Sequence, residues 1–521
     1  MNPVAQAGPR ERITRRALVG GFAAGCARAQ LRGPSRRGPN FLFILADDHA
    51  GYVLGCDGNP VAQTPNIDRL AAQGTRFAAH HSNSPVCTPS RQSFLTGQLP
   101  HAAGVTLLGT PLDAGKPTLA KQFQKAGYQT AVFGKMHFNR PAQPGLHGFD
   151  VMMTEDEITR AWLADVKPRP LPRETAAKPA VWRPFRDPAR IWLNADKLPF
   201  ARYDDQMRGS YIARRAIEYM EEHRQKPFAL WASFQEPHSP FDFPVEDRDR
   251  FAAARFAVPR LGPQDAWQVP KIFRGLSDDD KRGIIAAYYT SAAFLDRNVG
   301  RVLDALERLR LAEDTLVVYM ADHGYSLGQH GRFEKHCGYE PALRVPLAMR
   351  LPGRIRTGVV TDLTEHVDVT ATVTDLMGLD PLPSAHGQTL RPYLEGRAAQ
   401  PRDQIFSEYL ENEEAYVKTP EWKYVFCSGK RARQDGYQTD DPTPGRYQRL
   451  YNLKDDPGEF TDVAPRYPEM TAKLQGWMLD RFRATHPDRT AEPQRLNAAE
   501  AIEFYLPPRD VPVVQNGTKR A

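Results

Sequence analysis

Asn40-Phe41-Leu42-Phe43-Ile44-Leu45-Ala46 is a continuous apolar run that stops abruptly at Asp47-Asp48. A strand with one wet face alternates apolar and polar residues; this run does not, so it reads as a strand buried on both faces with two acids at its carboxyl end. Thr315-Leu316-Val317-Val318-Tyr319-Met320-Ala321 repeats the pattern and ends in Asp322-His323. Between and around these runs lie helical signals. A helix begins at Thr64-Pro65 and closes at Gly74, with Ile67, Leu70 and Ala71 at helical spacing. Others are expected over 89–96, 118–126 and 278–309, the last from Ile285, Tyr288, Ala292, Leu295, Val299, Val302 and Leu306 at steps of three and four. Further strands are expected over 128–133 and 228–234, the second ending before Gln235-Glu236-Pro237-His238. Strands alternating with helices define an α/β fold with a mainly parallel sheet, whose ligands bind beyond the carboxyl ends of the strands, where both polar pairs fall.

Past Leu379 the pattern weakens. Trp422-Lys423-Tyr424-Val425-Phe426 and Arg449-Leu450-Tyr451-Asn452-Leu453 read as short antiparallel strands of a smaller C-terminal α+β domain. The expected organisation is a leader and linker over 1–37, a catalytic domain over 38–385 and the smaller domain over 386–521. The Pro- and Arg-rich stretch 167–190 reads as a surface insertion of the kind that shapes substrate pockets.

The net charge of +7 sits at the N-terminus: before Gly38 there are eight arginines and one acid, Glu11, and the remainder is balanced. That removes the argument for a nucleic-acid-binding protein. Thr14-Arg15-Arg16-Ala17-Leu18-Val19, followed by a short apolar stretch and the small-x-small site Ala27-Arg28-Ala29, resembles a twin-arginine export signal, which implies a periplasmic protein. The alternatives are a basic arm, or lipid attachment at Cys26. No stretch approaches a transmembrane span. The five cysteines, Cys26, Cys56, Cys87, Cys337 and Cys427, show no paired spacing, which argues against a disulfide framework or a zinc site. Cys337 and His336 read as structural.

Three carboxylates and an imidazole at two strand ends repel one another unless a cation holds them; oxygen ligation favours Ca²⁺ or Mg²⁺, and the imidazole leaves room for Mn²⁺. The strongest signal is Cys87-Thr88-Pro89-Ser90-Arg91, which resembles the sulfatase signature Cys-x-Pro-x-Arg. The resemblance extends from Asn40 to about Ala464, through Thr64-Pro65-Asn66-Ile67-Asp68-Arg69-Leu70-Ala71, Phe133-Gly134-Lys135-Met136-His137, Glu236-Pro237-His238-Ser239-Pro240-Phe241 and Ala321-Asp322-His323-Gly324-Tyr325. It continues through Lys335, Arg344-Val345-Pro346-Leu347, His366-Val367-Asp368 and Leu450-Tyr451-Asn452-Leu453.

The resemblance implies an alkaline-phosphatase-like sandwich with a large mixed sheet between helices. It implies that Cys87 is oxidised to formylglycine by a formylglycine-generating enzyme, and that Asp47, Asp48, Asp322, His323 and the modified Cys87 ligate one divalent cation, Ca²⁺ first. By the same resemblance Arg91 orients the formylglycine hydrate, Lys135 and Lys335 hold sulfate oxygens, and His137 contacts the second hydroxyl and serves as base for elimination. His238 is the general acid at the bridging oxygen, and Asp322 helps activate the attacking hydroxyl. The implied activity is hydrolysis of sulfate esters of a carbohydrate or other small molecule. His323, where much of the family has Asn, also occurs in choline-type and iduronate-type sulfatases and in phosphonate and phosphodiester hydrolases, so a phosphonate monoester or phosphodiester hydrolase is the alternative enzyme. An inactive sulfated-glycan-binding relative is the alternative of another class.

Overall fold

The computed structural model describes residues 38–177, 193–431, 433, 436–439 and 446–510. The leader with Arg15, Arg16 and Cys26, and the part of the insertion from 178 to 190, lie outside the described residues.

The first apolar run is β1 (Asn40–Asp47), and it is central. The other strands of its sheet are β2 (Thr75–Phe77), β4 (Gln129–Gly134), β5 (Val151–Thr154), β6 (Phe228–Pro237), β7 (Thr315–Ala321), β8 (Leu347–Arg350) and β9 (Gly358–Val360). A two-residue pair, β3 (His80–His81) and β10 (Thr364–Glu365), lies beside them. The eight-stranded order is β5-β4-β6-β1-β7-β8-β2-β9. From β5 to β7 every pairing is parallel, while β8 runs antiparallel to both β7 and β2, which makes the sheet mixed.

Because successive strand residues face opposite sides, β1 feeds two cores. Leu42, Ile44 and Ala46 pack with Leu70, Met220, Val299 and Leu306 from the helices Pro65–Ala72, Arg208–His223 and Asp278–Arg308. Phe41, Phe43 and Leu45 pack on the other face with Phe94, Phe123 and Val373 from the helices Cys87–Thr96, Leu119–Lys125 and His366–Met377. Phe41 stacks on Phe123 at 4.8 Å and meets Trp231 edge-on at 5.1 Å, contacts worth about 0.5–1.5 kcal/mol each beyond area burial. This two-core arrangement is the alkaline-phosphatase-like α/β sandwich.

A second sheet, β11 (Ile405–Tyr409), β12 (Glu414–Lys418), β13 (Trp422–Cys427) and β14 (Tyr447–Asn452), is antiparallel throughout. Ala415, Val417, Tyr424 and Phe426 face Leu474, Met478 and Phe482 of the helix Pro468–Thr485. The alternate residues Tyr416, Val425 and Tyr451 face Val86 and Cys337. The second sheet therefore braces the residue before Cys87 and a residue two past Lys335. It starts at Ile405, and the described residues from Gly38 onward cluster as one compact unit.

Element edges differ in instructive ways. The helix expected from Pro89 starts at Cys87, because a proline anywhere in the first turn removes an N–H that has no intrahelical acceptor. Strand β6 runs on to Pro237, since β1 carries a register shift between Leu45 and Asp47 that lets Asp47 pair with Pro237.

Candidate active site

Parallel register delivers the polar residues to one edge of the sheet. Ala46 pairs with Ala321, Asp47 with Pro237 and Gly134 with Ser233, so Asp48, His238, Asp322 and Lys135 follow neighbouring strand ends. Gly134 has φ +107°, and a Cβ there would lie 1.8 Å from the Ser233 carbonyl oxygen, so the Gly-Lys turn tolerates no side chain.

Cys87 is the first residue of a helix all ten of whose residues are buried, and Gly97 ends that helix in the left-handed conformation. Its Sγ lies 2.9 Å from Lys335 Nζ, 3.7 Å from Lys135 Nζ, 3.1 Å from His323 Nε2 and 3.5 Å from Asp47 Oδ1. Burial and Asp47 act to raise the thiol, yet Lys135, Lys335 and His323 outweigh them and hold it below its ordinary value. The helix N-terminus acts in the same direction.

Arg91, one helical turn on, is fully buried. Its Nε donates to Asp322 Oδ2 at 2.8 Å and its Nη1 to Ser233 Oγ at 3.0 Å, while Nη2 lies 3.7 Å from Asp47 Oδ2. The other Asp322 oxygen accepts the amides of Asp48 at 3.1 Å and His323 at 2.9 Å. Lys335 reaches Asp48 Oδ1 at 2.7 Å, and Lys135 contacts Asp47 Oδ2. Burial alone would raise Asp47, but Lys135, His238, Arg91 and Lys335 keep it well below the carboxylate range. Asp48 is pushed up to about 7, by burial first, against Lys335 and His323.

His238 and His137 lie at the cavity side of this cluster. His238 Nε2 is 4.0 Å from Asp48 Oδ2, and burial, Lys135 and Lys335 depress the ring well below the ordinary histidine value. His137 is pushed down to about 3, by burial and then Lys135, and its Nδ1 has no hydrogen-bond partner. Every residue singled out in the sequence therefore converges on one site: Asp47, Asp48, Cys87, Arg91, Lys135, His137, His238, Asp322, His323 and Lys335. Cys337 is buried against the second sheet, whereas His336 lines the site cavity.

The donor set fits a divalent cation. Ligand atoms of Asp47, Cys87, Asp322 and His323 all lie within 4.8 Å of one another, and Asp48 Oδ2 is buried without a hydrogen-bond partner.

Other residues hold the site in place without any signature of their own. Glu155 Oε1 accepts the amides of Met136 at 2.7 Å and His137 at 2.5 Å, fixing the turn after Lys135, in which His137 has φ +55°. Ser90 Oγ donates to the Asp322 carbonyl and lies 3.1 Å from His366 Nδ1. Asp510 accepts from the amides of Thr106 at 2.7 Å and Leu107 at 2.9 Å and from the hydroxyls of Thr106 and Thr110. That clasp fixes the loop carrying Leu108, which lines the cavity and whose carbonyl accepts from Thr88 Oγ1 at 2.7 Å. The cavity itself measures about 460 Å³ and is further walled by Ile158, Thr159, Arg208, Gln235, Tyr325 and Tyr437.

Residues 39–379 match the sulfatase family. The chain belongs to that family. Residues 328–484 also match the C-terminal family of N-sulphoglucosamine sulphohydrolase. The sulfatase is 29% identical over 494 residues to a choline-sulfatase of Rhizobium meliloti (strain 1021), covering 90% of each chain. It is 31% identical over 474 residues to a steryl-sulfatase of Mus musculus, covering 75% of this chain and 70% of that protein. Among solved structures, a phosphonate monoester hydrolase of Agrobacterium radiobacter superposes with a TM-score of 0.70 at 24% identity, covering 88% of this sulfatase and 98% of that chain. A structure in complex with its substrate D-glucosamine-2-N,6-O-disulfate gives a TM-score of 0.67 at 20% identity, covering 87% and 99%. The two structures establish the fold, and the sequence relatives together with the family match establish a sulfuric ester hydrolase.

Proposed function

We propose that this sulfatase hydrolyses a sulfate ester of a carbohydrate, using a formylglycine made from Cys87 and one divalent cation, Ca²⁺ first. The observation that carries the reading is the position of Cys87, buried at a helix N-terminus with Lys135, Lys335 and His323 all within 3.7 Å of its sulfur. Its Sγ stands where a hydrate oxygen of formylglycine would sit.

Sulfate repels nucleophiles through its own charge, so its oxygens must be neutralised before attack. Lys135 and Lys335 hold those oxygens, but the same two lysines offset Asp47 and Asp48 in the free site. They do not serve both partners fully at once. Asp47, Asp48, Asp322, His323 and residue 87 would hold a cation, which would supply the missing positive charge beside the sulfuryl group.

Asp322, fixed by Arg91 and two amides, helps take the proton of the attacking hydroxyl. The hydrate oxygen bonds to sulfur as the S–O bond to the alcohol breaks, and His238, which takes up a proton from solvent when the sulfate ester binds, delivers it to the departing oxygen. In the free site His238 is neutral, and sulfate charge between Lys135 and Lys335 opposes two of the three effects that depress it. His137, held neutral, then takes the proton of the second hydroxyl; the C–O bond to sulfate breaks, the aldehyde re-forms, and water restores the hydrate.

The decisive experiment compares an aryl sulfate with an aryl phosphonate on one preparation. A higher kcat/KM for the sulfate supports the reading, and preference for the phosphonate overturns it in favour of a phosphonate monoester hydrolase. Export through the twin-arginine route is part of the same proposal: replacing Arg15 and Arg16 by Lys traps the protein in the cytoplasm, and unchanged export counts against it.

A further inference from the structure

The cavity that opens onto Cys87 contains a cation that the reaction itself does not use. Arg208, the first residue of the helix Arg208–His223, lines the same space as Lys135, Lys335 and His238. Its Nη1 donates to Thr159 Oγ1 at 3.3 Å and its Nη2 to Gln235 Oε1, both neutral acceptors. Among the described residues no carboxylate lies within ion-pair distance of it. A guanidinium has five N–H donors, so two hold it in orientation and three remain.

The acids nearby do not neutralise it by contact. Glu155 is engaged by the amides of Met136 and His137, and Asp156 has a partner of its own. Glu236 lies behind, its carboxyl packed against Gly209 so closely that a Cβ there would be 2.8 Å from Oε1; burial pushes this carboxyl up to about 7, and Arg208 opposes that shift through space, without an ion-pair contact. Glu334 is taken by Arg332 and the His336 amide. Half-buried and oriented by two neutral groups on separate elements, Arg208 is a built donor fork with no carboxylate in contact among the described residues.

Resting on the sulfatase reading, we propose that Arg208 is a specificity-determining residue that binds a carboxylate on the alcohol side of the ester, so that the preferred substrate is a sulfated sugar that also carries a uronate-type carboxyl group. The guanidinium fork matches a planar carboxylate with two parallel hydrogen bonds. Gln235 lies three residues before His238, so the fork is anchored close to the group facing the leaving oxygen. Neutral sugars then make the sulfate contacts but leave Arg208 unanswered.

Binding tests this without turnover. The Cys87→Ala protein, with and without Arg208→Ala, is titrated calorimetrically with 2-, 3- and 4-O-sulfated methyl glucosides and the matching methyl glucuronides. The expected result is that, for at least one sulfate position, the glucuronide binds about 10-fold or more tighter than the glucoside, and that Arg208→Ala abolishes this difference. Arg208→Lys should restore part of it, since charge returns without the fork. Equal affinity for both sugars at every position overturns the proposal, as does a preference that survives Arg208→Ala. Failure of the sulfatase reading appears separately, as absent sulfate ester hydrolysis by the protein with residue 87 intact.

Discussion

His323 Nε2 lies 3.1 Å from Cys87 Sγ, and the same ring nitrogen is 3.6 Å from Asp322 Oδ2. One imidazole thus links the end of β7 to the first residue of the buried helix. If it is a metal ligand, His323→Ala lowers divalent-cation content and turnover together, by about 10-fold or more. Elemental analysis of dialysed protein alongside kcat/KM checks this, and full occupancy with full activity rules the ligand out. Chelation of the parent protein should reproduce the loss, and added Ca²⁺ should reverse it.

Active protein is expected to carry formylglycine at position 87. A thiolate lacks the second hydroxyl through which sulfate is expelled, so unconverted protein should be nearly inert. The peptide containing residue 87 should show the mass of the aldehyde and react with carbonyl reagents, whereas Cys87→Ala does neither. Sulfate ester hydrolysis by protein with an intact thiol would falsify the mechanism and leave the fold untouched.

Acid should destabilise the protein between pH 6.5 and about 4. His49, His81 and His147 are each pushed down to about 4, chiefly by burial. The unfolded chain takes up protons at the ordinary histidine value near 6.5 while the folded chain resists until about 4. Below pH 6.5 the unfolded state therefore binds more protons, and stability falls with pH by up to about 1.4 kcal/mol per unit for each such group. His147 isolates the effect, because neither ring nitrogen has a hydrogen-bond partner and the ring packs 4.5 Å from Phe138. His147→Phe should flatten the decline of Tm with pH in this window; an unchanged slope refutes its share.

Much of this was legible because the decisive features are local. Asn40 to Ala46 and Thr315 to Ala321 have no polar face, so burial on both sides follows from composition, and acids at their ends mark the ligand edge. Cys87, Arg91, Lys135 and His238 were found through motifs with fixed spacing. Glu155, Ser233, Arg208 and Asp510 were not, because nothing in their own neighbourhood distinguishes them. Glu155 matters through the amides of Met136 and His137, and Ser233 through its pairing with Gly134. Such roles arise from register between distant segments, which no window along the chain contains.

Asp510 should prove to be a positioning residue. Asp510→Ala leaves four donors of the loop around Thr106 to water, at a cost of about 1–3 kcal/mol in local stability. The amides of Thr106 and Leu107 should exchange with solvent hydrogen about 10-fold faster or more, and KM should rise more than kcat falls. Unaltered protection of those amides would remove the clasp from the account.

That clasp also sets an order of events during synthesis. Thr106 and Asp510 are 404 positions apart, so the ribosome has long released the Cys87 helix and its neighbouring loop before their carboxylate exists. In the finished protein Cys87 is only 1% exposed. On the proposed formylglycine reading, an enzyme converting this side chain would have to meet it while the polypeptide is still growing or newly released, before completion of the fold closes over the helix.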